Sequence, residues 1–300
     1  MKYAVTGGAG FIGSNIVKLL VQKGHNVSII DNLHTGNLSR LKEVRENVSF
    51  HNIDIRNYEE LSESIFDVDG IFHQAALTIV PESFKKPEEY FDVNVNGTNN
   101  IFKIAKKLGI KVIFASSSSI YGNVEKVPIN ENFEKNPINP YGKTKVEKEK
   151  LAEKFWNEDV NIIGLRYFNV YGKDQTGTYA GVITQFMKRL EKNLPPIIHG
   201  EGNQIRDFIS VEDVAKANLI SMESSHIQDF LNVGTGKSIS VLELAKMMIK
   251  IYSKDLSPIF DKELPGDIEK SQADTSRAKD KIGWNYSIGL EEGLTKLMTE

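Results

Sequence analysis

A chain of 300 residues, 40% apolar and 26% charged, can form one large α/β domain with a smaller lobe and is too apolar for disorder. Its net charge of −3, with no long basic run, argues against nucleic acid and anionic membrane as partners. The absence of cysteine removes disulfides, thiolate nucleophiles and cysteine metal sites, and with no apolar run of transmembrane length the expectation is a cytoplasmic protein without a metal.

Tyr3-Ala4-Val5 reads as a first strand, and it runs into Thr6-Gly7-Gly8-Ala9-Gly10-Phe11-Ile12-Gly13. Ile16, Val17, Leu19 and Leu20 then recur at helical spacing, so the glycines sit between a strand and a helix that begins near Phe11. Such a turn brings bare backbone and the positive end of a helix to a pyrophosphate. The glycines fit Gly8, Gly10, Gly13 and equally Gly7, Gly10, Gly13. The second strand, Asn26 to Ile30, ends in Asp31, placed for the hydroxyls of an adenosine ribose. A carboxylate there repels a 2′-phosphate, so NAD is favoured over NADP.

Val48 to Asp54 reads as a third strand, where Asp54 and Ile55 could bracket an adenine or be a plain strand end. Tyr58 to Phe66 is predicted helical, and Gly70 to His73 is a fourth strand running into Gln74-Ala75-Ala76, small enough for a cofactor to lie against. His73 is read as a packed strand-end residue. Tyr90 to Leu108 is a long helix containing Asn94 and Gly97 and ended by Gly109; Phe91, Val95, Ile101, Phe102 and Ala105 exceed what one core-facing stripe requires. Lys111 to Ala115 is a fifth strand breaking into Ser116-Ser117-Ser118-Ser119. Pro140 opens a helix through Phe155, and Asn161 to Tyr167 is a sixth strand. This alternation implies a doubly wound parallel Rossmann sheet of the α/β class, with ligands at the carboxyl ends of its strands. Residues 1–170 would bind NAD, with a return to the sheet near 205–235. Residues 171–300, with Val182–Arg189, Ile197–His199 and Val241–Lys254 between polar loops, would form a smaller interleaved C-terminal substrate lobe.

Tyr141 and Lys145 are one helical turn apart and share a face. A phenol has a pKa of about 10, and a fixed ammonium with the charge of an oxidised nicotinamide favours its phenolate. Phenolate could take a proton from an alcohol while hydride leaves the same carbon, with Ser117 hydrogen-bonded to that oxygen. Without the preceding motifs the pair would read as a surface helix start and a solvated lysine.

Taken together these residues resemble the extended short-chain dehydrogenase/reductase family, and within it nucleotide-sugar epimerases of the UDP-glucose 4-epimerase type. The resemblance runs along nearly the whole chain. It includes the glycine turn, Asp31-Asn32, Asp54-Ile55, His73 to Ala76, Asn94 to Thr98, Ser116 to Gly122, Tyr141-x-x-x-Lys145 and Arg166 to Gly172. It continues through Arg206 to Asp213, Asn232 to Gly236 and Pro265-Gly266-Asp267.

The resemblance implies Tyr141 as base, Lys145 as its cationic partner and Ser117 as the third hydroxyl. It adds Phe11, Ile12, Asn32, Asn94 and Tyr167 to the NAD site, and places Ser118, Asn169, Val182, Arg206, Asp267 and Ser271 around the UDP-sugar. It also implies a homodimer paired through the helices near Tyr90 and Tyr141. A second arginine often precedes Pro-Gly-Asp in the family; here that residue is Leu264. Ser118-Ser119 replace the Asp-Glu of 4,6-dehydratases, which counts against a lyase, and the missing cysteine counts against GDP-fucose-type epimerase-reductases. UDP-glucuronate 4-epimerase or decarboxylase is the nearer alternative, and a non-catalytic NAD-binding protein would not need Tyr141 and Lys145. Serine at 271, where the family gates the site with tyrosine or a small residue, implies that UDP-GlcNAc and UDP-GalNAc are admitted beside UDP-glucose and UDP-galactose. The Tyr179 to Ile183 segment points to the same branch.

Overall fold

The computed structural model describes residues 1–175, 181–263 and 268–299. Seven parallel strands form the central sheet: β1 (Lys2–Thr6), β2 (Asn26–Ile30), β3 (Val48–His51), β4 (Gly70–His73), β5 (Lys111–Ser117), β6 (Ile162–Tyr167) and β7 (Gln228–Val233). Their spatial order is β3-β2-β1-β4-β5-β6-β7. The order reverses between β1 and β4, so the ends of those strands open a crevice on the carboxyl edge. The sheet is buried on both faces, as its runs of Val, Ile and Phe require. One face packs Ile16, Val17, Leu20, Val214 and Leu219; the other packs Ile101, Phe102, Ala152 and Phe155.

The predicted return to the sheet is helix Val211–Glu223 followed by β7, with Val214 and Leu219 packed in the same core as Ile16 and Leu20. Helices Val182–Leu190, Val241–Ile251 and Leu290–Thr299 enclose a separate core around Tyr171, Phe186, Leu244 and Met248. Short strands Ile205–Arg206, Ile239–Ser240 and Lys270–Ser271 form a small sheet beside it. Among the described residues no helix is long and apolar enough to cross a membrane.

Several boundaries differ from expectation. β3 stops at His51, because the next residues turn so that Asp54 Oδ1 accepts the Arg56 N–H at 2.9 Å. β5 continues through Ser117, held by pairing of Ser117 with Tyr167 on β6. The long helix near Tyr90 begins at Pro87, and Asp92–Asn96 form a π-type turn inside it before Gly97–Leu108 resumes. Wide turns of this kind inside helices cluster at functional sites. Its apolar surplus is mostly internal: Val95, Ile101, Phe102 and Ala105 are buried and Phe91 is exposed. Gly109 ends the helix at φ +66°, a left-handed cap that glycine adopts without strain.

Candidate active site

The crevice is lined first by the glycine turn. Gly7 has φ +67°, and a Cβ on it would lie 2.6 Å from Ala75 N, so β1 and the loop after β4 approach through bare backbone. A Cβ on Gly13 would strike the Gly7 carbonyl. Gly7, Gly10 and Gly13 therefore make the turn, with Gly10 N–H donating to Gly7 O at 3.0 Å, whereas Gly8 faces Ile29. Helix Phe11–Gln22 starts here with no side-chain cap and no acid in its first turn. The N–H groups of Phe11, Ile12 and Gly13 are thus an anion-ready helix end at the sheet's carboxyl edge. That cradle fits a pyrophosphate.

Asp31 is buried at the end of β2. Its Oδ2 accepts Ala9 N–H at 2.9 Å and Oδ1 accepts Leu33 N–H at 2.8 Å, and each oxygen keeps a lone pair for a ribose hydroxyl. Burial pushes its pKa up, against the Leu33 and Ala9 N–H groups and the charge of Arg40. Asn32 donates to Asp54 Oδ2 at 3.1 Å, and Arg56 grips Asp54 through Nε and Nη2 at 3.0 and 2.8 Å. The Arg56 hydrogen bonds hold the Asp54 carboxyl down to about 2. Asp54 is therefore an ion-paired residue, with Ile55 buried against Gly97 behind it.

Three residues expected at the cofactor hold the crevice from behind with their side chains. Asn94 is fully buried; its amide accepts Leu77 N–H at 2.8 Å and donates to Leu77 O and Thr144 Oγ1, both at 3.0 Å. It ties the β4 loop to the π-type turn and to the helix carrying Tyr141. Tyr167 hydroxyl and Gln74 amide meet on Asn218 of helix Val211–Glu223, with Tyr167 Oη to Gln74 Oε1 at 3.1 Å and Gln74 Nε2 to Asn218 Oδ1 at 3.1 Å. Ala75 and Ala76 follow, with Ala75 N against Gly7.

Ser117, Tyr141 and Lys145 are brought together by β5 and helix Pro140–Trp156. Asn139 caps that helix, accepting Gly142 N–H at 2.8 Å, and Pro140 is its first residue, so Tyr141 stands in the first turn. The Ser117 side chain stands near enough to its phenol to oppose the rise that burial imposes on it. Ser117 Oγ also accepts Ser119 N–H at 3.2 Å, and Ser118 opens a short 3₁₀ turn. Lys145 is buried; its Nζ donates to Ala115 O at 2.9 Å and lies 5.4 Å from the centre of the Tyr141 ring. Burial raises the phenol to about 12, with Ser117 opposing, and burial lowers Lys145 to about 8, with Glu149 opposing.

Beyond β6 a cavity of about 420 Å³ is lined by Asn169, Val182, Arg206 and Phe208 together with His199 and Gln204. Helix Val182–Leu190 points a second uncapped N-terminus, Gly181 to Ile183, at it. Ser271 is buried and in register with Arg206 across the small sheet. Asp207 and Asp213 are occupied elsewhere: Asp207 accepts from Thr235, Gly236 and Ala273, and Asp213 from Ser287, Ile288 and Lys216. Asp267, Leu264, Tyr179 and Ala180 lie outside the described residues. The sequence reading missed His199, Gln204 and Phe208, whose segments are too short for a periodic signal, and Asn218, which looks like one polar residue on a helix.

The family model described as NAD dependent epimerase/dehydratase family matches residues 3–234. A putative UDP-glucose 4-epimerase of Methanocaldococcus jannaschii is 40% identical over 98% of this chain and 96% of its own. The crystal structure of Thermotoga maritima UDP-glucose 4-epimerase with UDP-glucose superposes with a TM-score of 0.94 at 36% identity, covering 100% of this chain and 98% of that one. The UDP-N-acetylglucosamine 4-epimerase of Methanobrevibacter ruminantium, in complex with UDP-N-acetylmuramic acid, gives 0.94 at 36% identity, covering 99% and 97%.

Proposed function

The chain belongs to the NAD-dependent epimerase/dehydratase family, and on that premise we propose that it is a UDP-hexose 4-epimerase acting on UDP-GlcNAc and UDP-GalNAc as well as UDP-glucose and UDP-galactose. The observation that carries this reading is Tyr141, beside Ser117 and with Lys145 Nζ 5.4 Å from the centre of its ring, at the carboxyl end of a sheet that also presents a pyrophosphate cradle.

NAD, when bound, supplies a reversible hydride acceptor. Tyr141 takes the proton of the sugar's C4 hydroxyl, Ser117 orients that oxygen, and Lys145 supplies positive charge to the phenolate. With the phenol held near 12 by burial, positive charge beside it is needed before it works as a base near neutrality. The resulting 4-keto sugar turns over and is reduced on its other face, with Tyr141 returning the proton. Arg206 and the helix end at Val182 hold the diphosphate, since a guanidinium fork and free N–H groups suit phosphate oxygens. Residues 1–170, with the segment near 205–235, hold the cofactor, and 171–300 mainly hold the UDP-sugar. A second copy of the chain covers Phe84 and Phe91, large exposed apolar side chains on neighbouring helices.

Because the cycle regenerates its cofactor, the protein should purify with NAD(H). Denaturation followed by nucleotide assay is expected to release NAD(H); NADP in its place, or tighter NADP binding by the apoprotein, would contradict the role of Asp31.

The range of sugars rests on Ser271. Ser271 is buried and in register with Arg206, and on this reading its small side chain admits an N-acetyl group where a tyrosine would exclude it. Incubation with a panel of UDP-sugars and analysis of the products should show interconversion of both acetylated and unacetylated pairs. Ser271→Tyr should lose the acetylated pair and keep UDP-galactose. Unchanged selectivity in that variant, or wild-type activity on unacetylated sugars alone, would refute the assignment.

A further inference from the structure

Lys148 lies one turn beyond Lys145 on the helix of Tyr141 and is fully buried. Its Nζ is 3.5 Å from His73 Nε2 and 5.5 Å from the centre of the Phe114 ring. No ion pair among the described residues includes it. The neighbouring Glu149 is held by Arg166, Lys135 and Ser116.

The hydrogen bonds around His73 fix the tautomer of its neutral form. Thr98 Oγ1 gives its proton to Asn94 O at 2.5 Å, so it can only accept from His73 Nε2, at 2.8 Å. In the neutral ring Nδ1 then accepts from Thr6 Oγ1 at 2.7 Å, and Thr6 Oγ1 accepts Ala75 N–H at 3.4 Å. This is a directional chain from the cofactor loop to the π-type turn, through a neutral imidazole with its proton on Nε2. An ammonium at Lys148 would find no acceptor on His73; an uncharged amine can share the Nε2 proton. The titratable groups around Lys148 are Lys145 and Glu149 on its own helix and His73 at the end of β4; β5 presents the Phe114 ring, and helix Gly97–Leu108 reaches the same imidazole through Thr98. Burial, then Lys145, holds the amine well below the ordinary lysine range, and burial, then Lys148 and Lys145, does the same to His73.

A methionine or leucine would fill this space without a desolvation penalty. A buried group that breaks the packing rule beside a reaction centre points to a role in that centre.

We propose that Lys148 is a positioning residue: an uncharged amine that shares the His73 Nε2 proton and leaves Lys145 as the ammonium behind Tyr141, so that protonating Lys148 disables the site at acid pH. The catalytic part of this inference rests on the epimerase reading; the charge state does not. An amine protonated in the unfolded chain and neutral in the folded one lowers stability as pH falls from about 10.4 toward its folded value, below which the effect is constant.

Two measurements test it on holoenzyme, wild type against Lys148→Met. In thermal unfolding from pH 10 to pH 6, the variant's Tm should rise above wild type by a gap that widens as pH falls and then levels. In the pH profile of kcat/KM, the acid limb of the variant should move at least one pH unit lower. Parallel Tm curves overturn the uncharged amine, and a Tm gap with superimposable activity profiles overturns the positioning role. Failure of both Lys148→Met and Lys148→Leu to fold overturns the proposal, because a group held against stability is not required for folding. Wild-type protein inactive on every UDP-sugar sinks the epimerase reading and the positioning role with it, while the Tm comparison still decides the charge state.

Discussion

Tyr141→Phe should lower turnover by about a hundred- to ten-thousand-fold while leaving NAD and UDP-sugar binding largely intact. Only the phenol oxygen is removed, the atom whose ionisation Ser117 favours against burial. The ring stays, so the packing with Lys145 at 5.4 Å is kept. Equilibrium binding of NAD and of UDP-sugar, measured beside steady-state rates, separates the two effects. A variant retaining most of its activity would mean that another group moves the proton. Lys145→Met should lose both rate and some NAD affinity, because Lys145 would also touch the nicotinamide ribose.

Glu149→Ala should be the most damaging substitution for stability. Glu149 Oε1 accepts Arg166 Nε at 2.9 Å and Ser116 Oγ–H at 2.6 Å, and Oε2 accepts Arg166 Nη2 at 2.8 Å. Both partners of the ion pair are buried, and Ser116 precedes Ser117 on β5. Arg166 therefore ties the helix of Tyr141 to β6, and Ser116 ties it to β5, the strand that carries Ser117. Removing the carboxylate leaves a buried guanidinium without its counter-charge, which costs about 3–5 kcal/mol. Thermal unfolding should show a drop of roughly 5–15 °C. Burial pushes the Glu149 carboxyl up, but Arg166 and then Lys135 outweigh it and hold it below its usual value. Its contribution is therefore present above the unfolded pKa of about 4.3 and is lost as pH falls through the lower folded value. Glu149→Gln should lack that acid-side loss, and a Glu149→Ala variant with wild-type Tm would refute the structural role.

The elements that were legible in the sequence are those whose signal is local. The glycine turn, Asp31 at the end of β2, Ser117 at the end of β5 and the Tyr141–Lys145 pair each fall within one turn or strand, and the structure brings them to one edge of the sheet. What was not legible depends on partners distant in the chain. Asn94 and Thr144 are 50 residues apart, and Tyr167 and Asn218 are 51 apart, so neither pairing leaves a pattern. The π-type turn at Asp92–Asn96 is built of aspartate, valine and asparagine, weak helix formers whose presence does not tell a wide turn from an ordinary one. Helix Pro140–Trp156 carries Lys143, Lys145, Lys148, Lys150 and Lys154, which read alone as a solvated basic face. Its packing onto β5 is what places Lys145 and Lys148 inside and leaves Lys143 and Lys150 in solvent.

The central claim is that Tyr141 moves a proton while C4 of the sugar is oxidised and then reduced by the same hydride. Proton NMR of UDP-GlcNAc incubated in deuterated water with the purified protein tests this directly. The account predicts a mixture of the two C4 configurations with no deuterium at C4, because the hydride returned is the one removed. Deuterium at C4, or no inversion of C4 in any UDP-hexose, would contradict it.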